Sequence, residues 1–223
     1  MRTFIRDNGL AISMFALFLL FAIGLSITGW INENGTLSEH GQPTTSFVAY
    51  LFSSAFGEAI FENWESEFLQ MGAYVALTAL LVQRGSAESK HDAGRNPVDR
   101  DPARSRGRKR RDAPWPVRAG GLWLKLYEHS LTIALLLLFL FSFGMHAVTG
   151  AADFSESQLA HGEPAVSAIA YLGTARFWFE SFQNWQSEFL AVGALIVLSI
   201  FLRQRGSPES KPVDESDAKT GSD

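Results

Sequence analysis

Uncharged runs alternate with polar connectors along this chain, and the lengths of the runs set the elements to expect. Leu10–Trp30 carries no charge, and Ser130–Gly150 repeats the pattern with His146 as its one titratable side chain. At a rise of about 1.5 Å per residue, about 20 residues cross a hydrocarbon core about 30 Å thick. Phe15–Ile23 and Ile133–Phe143 are apolar on every helical face, which argues against the half-buried helix of a soluble fold. Both runs read as transmembrane helices, over about residues 10–30 and 130–150. Two further spans are expected at about 63–83 and 184–203; the first has its apolar stretch at Phe68–Val82 and borrows Asn63–Glu67 to reach the interface. Ser46–Phe61 is patterned differently: Ser46, Ser53, Ser54, Gly57 and Glu58 leave a broad apolar face of Phe47, Val48, Leu51, Phe52 and Ala55. This predicts an amphipathic helix, either lying in the interface or re-entrant, and 165–182 predicts another, with Arg176 and Glu180 spaced to pair. Ile31–Thr45 reads as a polar loop with a turn at Asn34-Gly35.

The pattern occurs twice. Asn63-Trp64-Glu65-Ser66-Glu67-Phe68-Leu69 returns as Asn184-Trp185-Gln186-Ser187-Glu188-Phe189-Leu190, an offset of 121 residues read from Trp64 against Trp185. The same offset aligns Thr28-Gly29 with Thr149-Gly150, His40-Gly41 with His161-Gly162, Pro43 with Pro164, and Tyr50-Leu51 with Tyr171-Leu172. Gln83-Arg84-Gly85-Ser86 and Gln204-Arg205-Gly206-Ser207 close the copies. A gapless register of this length indicates an internal duplication. The expected fold is an all-α membrane protein of four transmembrane helices, from a tandem parallel repeat of a two-span unit. Each unit carries its extra amphipathic helix on the extracytoplasmic side. The first repeat covers 1–84, a basic, disordered cytoplasmic linker 85–121, the second repeat 122–205, and a disordered tail 206–223.

Charge fixes the orientation. The connector and its flanks from Arg84 to Lys125 hold most of the Lys and Arg, whereas Ile31–Glu62 and Ala151–Gln183 contain only Arg176. Under the positive-inside rule this places both termini and the linker on the cytoplasmic side of the membrane. The basic 104–111 run is a topology determinant and a candidate contact for anionic lipid headgroups; nucleic acid is not an expected partner. The N-terminal run is too long for a signal peptide and has a mid-chain twin, so it reads as an anchor. With no cysteine, disulfides and thiolate metal sites are excluded.

Candidate chemistry gathers at the duplicated block. A carboxylate just inside an interface is costly unless it pairs, binds a cation or meets water, which singles out Glu67 and Glu188. Asn63, Asn184, Ser66 and Ser187 complete a candidate polar or ion site, the asparagines as possible helix caps. Trp64 and Trp185 are interface anchors with wet indole N–H groups. His40 and His161, each in His-Gly-x-Pro, are weaker candidates; a histidine bonded to backbone is favoured over a metal ligand, and no cofactor or metal is expected. Glu65 faces Gln186 across the alignment, so charge there is not essential to both copies. His146 aligns with Leu25 and is set aside as a haem ligand. Gly72 and Gly193 are expected where helices of the two copies approach.

The duplicated N-W-x-S-E-F-L block, with H-G-x-P upstream and a span ending in Q-R-G-S, resembles a family of small bacterial inner-membrane proteins known as a domain of unknown function. The resemblance covers about Phe4–Lys211 and rests on Asn63-Trp64, Ser66-Glu67-Phe68 and their counterparts Asn184-Trp185, Ser187-Glu188-Phe189. It implies a membrane compartment and supplies no catalytic residues. No nucleophile elbow, P-loop or dinucleotide fingerprint sits in a supporting context. The expected function is a non-enzymatic membrane component. A small cation or proton channel or carrier using Glu67 and Glu188 is the alternative, with a metal-dependent membrane enzyme third.

Overall fold

The computed structural model describes residues 2–90, 96–102 and 112–221. The basic run at 104–111 lies outside them. Among the described residues every regular element is helical. The helices are α1 (Arg2–Asp7), α2 (Gly9–Glu39), α3 (Phe47–Leu51), α4 (Ser54–Leu80), α5 (Trp115–Ala119), α6 (Gly121–Glu128), α7 (Ser130–Ala160), α8 (Ala168–Tyr171) and α9 (Ala175–Phe201), with one 3₁₀ turn at Pro97–Asp99. α2, α7 and α9 are long and apolar enough to cross a membrane. α4 is not among these three, because Glu58, Glu62, Glu65 and Glu67 occupy its first half. α2 bears its apolar side chains outward on all faces, with Leu10 76 %, Phe15 69 % and Phe21 67 % exposed. In water such a surface would associate; in lipid tails it is the stable choice.

Element ends differ from the sequence expectation in three places. α2 does not stop at Trp30 but continues to Glu39, so Asn34-Gly35 lies inside a helix rather than in a turn. The expected amphipathic helices 46–61 and 165–182 are not single elements. Each is a short helix, α3 or α8, followed by the opening turns of α4 or α9. Capping explains the breaks. The Ser46 and Ser167 hydroxyls accept from the N–H groups of Ala49 and Ala170 at 3.3 and 3.2 Å. One turn on, Ser53 and Thr174 accept from Phe56 and Phe177 at 3.2 and 3.3 Å and start the next helix.

Contacts divide the chain into two units, 1–61 with 145–173 and 62–144 with 174–223. In the first, the bends after α2 and α7 are clamped alike by different chemistry. Asn34 accepts from the Thr45 N–H at 2.7 Å and donates to its carbonyl at 3.0 Å. The Ser155 hydroxyl does the same for Val166, at 2.8 and 3.1 Å. Buried Tyr50 and Tyr171 pack their rings against Gly29 and Gly150, where a Cβ would collide with the phenol.

In the second unit an aromatic cluster joins α7 to α9. Phe143 meets Phe177 edge-on with centroids 5.2 Å apart, and Phe139 meets Trp185 at 6.3 Å. Gly72 faces Leu135 and Leu136 at contact distance, whereas Gly193 faces open space. The Gln-Arg-Gly-Ser-x-Glu-Ser segments fold as matching turns: Ser89 accepts from the Gln83 N–H and Ser210 from the Gln204 N–H, both at 2.9 Å. Gly85 and Gly206 supply the positive φ these turns require, +84° and +86°. In the segment after α9, Lys211 gathers several carbonyls. Its buried ammonium donates to the carbonyls of Gly85 at 2.7 Å, Asp217 and Lys219 at 3.1 Å and Ser216 at 3.2 Å.

Candidate functional site

The duplicated blocks lie in mid-helix, Asn63–Leu69 in α4 and Asn184–Leu190 in α9, so neither asparagine caps a helix. Ser66 and Ser187 each donate to the carbonyl three residues back, Asn63 at 2.7 Å and Asn184 at 2.8 Å. A helix interior leaves a serine that local option, and here it is taken twice. Asn63 and Glu67 are exposed, and Glu188 is half-buried. Glu188 nonetheless acts on Glu67 electrostatically.

The fully buried carboxylate is Glu65. It lies two residues from Glu67 and therefore about 200° around the helix, on another face. Its Oε1 accepts from the buried Ser181 hydroxyl at 2.8 Å and from the Trp185 indole N–H at 3.2 Å. One turn earlier on α4, Glu62 accepts from the Asn184 amide at 3.0 Å. The polar centre of this unit is thus a ladder from α4 carboxylates to α9 donors. Trp185 spends its N–H on that ladder and not on water. The sequence marks Glu65 only by contrast, since its aligned partner is Gln186 and Ser181 aligns with Ile60. Further along α4 a cavity of about 320 Å³ has apolar side chains such as Leu77, Phe189 and Ile196 in its wall together with polar ones, Gln70, Tyr74 and Glu88 among them, and Gly193. Tyr74 donates to Glu88 at 2.6 Å. Outside the helices, the hydrogen bond from Lys90 at 2.9 Å holds the Asp99 carboxyl below the usual carboxylate range.

The other unit has its own buried polar centre. Glu58 and His146 are buried, and a carboxylate oxygen of the first lies within 4.8 Å of a ring nitrogen of the second. The Tyr171 hydroxyl donates to Glu58 Oε1 at 3.2 Å. Sequence pattern puts Glu58 on the polar side of an amphipathic helix and sets His146 aside as a haem ligand; in the fold both are enclosed. The available signal was a histidine standing alone in an uncharged run. His40 and His161 are exposed, and the Nδ1 of each lies 2.8 Å from the carbonyl one helical turn back, Thr36 or Ser157. They sit at helix ends just before Gly41 and Gly162, whose φ of +67° and +79° turns the chain out of the helix.

A family model described as a domain of unknown function, DUF6766, matches residues 1–222, and the chain belongs to that family. No curated protein and no solved structure matches it.

Proposed function

We propose that this member of the DUF6766 family is a polytopic integral membrane protein, a non-enzymatic component whose four spans form two parallel two-span units. The observation that carries this reading is the ladder on Glu65. A buried carboxylate whose Oε1 accepts from both Ser181 and Trp185 joins two helices, which is a structural task. The fourth span is α4, whose acids in the first half find partners or an interface while Phe68–Leu80 supplies the apolar remainder. The Lys and Arg bias supports a cytoplasmic linker and cytoplasmic termini in an inner membrane. The 104–111 run supports contact with anionic lipid headgroups on that face.

A second reading starts from Glu67 and Glu188, the acids shared by both stretches, of which Glu188 acts electrostatically on exposed Glu67. Two acids brought together near a membrane interface suit a cation or proton path. Flux assays on the purified protein in liposomes separate the two. The structural reading expects no proton or monovalent-cation flux above empty vesicles. Flux that disappears in the Glu67→Gln, Glu188→Gln double variant, with folding intact, would replace it by the transport reading.

A further inference from the structure

We propose that the cavity between α4 and α9 binds a small amphiphilic ammonium ion, its apolar body against the cavity wall and its charged head on Glu88 and Glu209. The whole cavity lies within one unit, 62–144 with 174–223. At about 320 Å³ it falls at the small end of ligand pockets, about 300–1,000 Å³. That is room for a short chain or a single ring, not for the two chains of a phospholipid. Leu77, Phe189 and Ile196 supply apolar surface, and Tyr74 and Glu88 supply polar atoms. Gly193 keeps the space open. A Cβ there would meet no atom within 4 Å, whereas a Cβ at its counterpart Gly72 would touch Leu135 and Leu136 at 3.5 Å. The same position is thus closed by packing in one stretch and left open in the other.

Charge selects the head group. Gln-Arg-Gly-Ser-x-Glu-Ser-Lys occurs at 83–90 and again at 204–211, so Glu88 and Glu209 hold the same place in two matching turns. The fold brings them together: both line the adjoining cavity, and Glu209 acts electrostatically on Glu88. The Tyr74 hydroxyl donates to Glu88 Oε2 at 2.6 Å and orients the carboxylate. The buried Oε1 receives no donor among the described residues. Lys90, which lines the adjoining cavity with them, donates to Asp99 Oδ1 at 2.9 Å and to the Ala79 carbonyl at 2.8 Å. Two neighbouring carboxylates, one with an acceptor left over, call for a donor that carries positive charge. An ammonium group supplies both, and a hydrocarbon body suits the apolar part of the wall.

The test is calorimetric titration of hexylammonium into the full-length protein in a neutral detergent, with protein-free micelles as the blank for partitioning. One saturable site per chain is expected. Glu88→Gln and Glu209→Gln should each weaken it about 10–100-fold, as loss of a charge-assisted hydrogen bond does. Gly193→Leu, whose added side chain starts in open space and fills the cavity, should abolish binding. Glu39→Gln, outside this unit, should bind as wild type does. Hexan-1-ol, the same body without charge, should bind at least about 10-fold more weakly. Heats that do not saturate above the micelle blank overturn the proposal. So does hexan-1-ol binding as tightly as hexylammonium, the result expected if Glu88 and Glu209 merely share a proton. A folded Gly193→Leu variant that binds as wild type does overturns it as well. Should the two carboxylate variants misfold, Gly193→Leu and the alcohol comparison decide.

Discussion

Glu65 and Glu67 sit two positions apart on one helix and meet opposite fates. Glu65 is enclosed and receives two hydrogen bonds, while Glu67 is exposed. Removing the Glu65 carboxylate leaves the Ser181 and Trp185 donors without an acceptor, at a cost of about 1–3 kcal/mol for each group that stays dry. Glu65→Ala is therefore expected to lower the unfolding midpoint in detergent markedly. Glu65→Gln, which keeps an acceptor oxygen, should cost less, and Glu67→Ala should leave the midpoint near wild type. Equal midpoints for the two alanine variants would disprove this ranking. The sequence shows that acids crowd this turn. It does not show which one is enclosed, because that depends on where a serine 116 residues later comes to rest. The acid present in both stretches is exposed at Glu67 and half-buried at Glu188, while the enclosed one, Glu65, is present in only one of them.

At the scale of helices, the apolar pattern is highly informative because hydrocarbon leaves a backbone few options beyond internal hydrogen bonding. α2 and α7 begin within a residue of their apolar runs, whereas α9 begins at Ala175, ahead of its own. Their far ends were less legible. α2 and α7 run past their apolar stretches to Glu39 and Ala160, since Asn34 and Ser155 secure polar turns that composition alone assigns to a loop. Close approach was legible only in part. The Thr-Gly pairs aligned across the chain, but the rings they accommodate, Tyr50 and Tyr171, emerge from the fold. Gly29→Ala and Gly150→Ala should each destabilise by about 1–3 kcal/mol through overpacking. Gly24→Ala and Gly144→Ala, where a Cβ meets nothing within 4 Å, should be neutral or stabilise by up to about 1 kcal/mol through helix propensity. Thermal melts of the four variants in one detergent check the contrast, which fails if the two pairs shift alike.

For the molecule as a whole, charge bias makes the most direct prediction. Alkaline phosphatase fused after Ser38 should be active, and fusions after Ala103 or Ser216 should be silent; activity after Ala103 would invert the proposed topology. The sequence carries Asn-Trp-x-Ser-Glu-Phe-Leu twice, and the differences around the two stretches matter as much as their likeness. A hydroxyl at Ser181 stands where the earlier copy has Ile60, and a carboxylate at Glu65 stands where the later copy has Gln186. Gene conversion that homogenised the two stretches would pair an acid with an isoleucine, or an amide with a serine, and lose the charged acceptor or its donor. The two stretches have thus become a matched set, so a recombinant carrying the earlier one twice should assemble poorly although every segment in it is native, and one carrying the later one twice should suffer less.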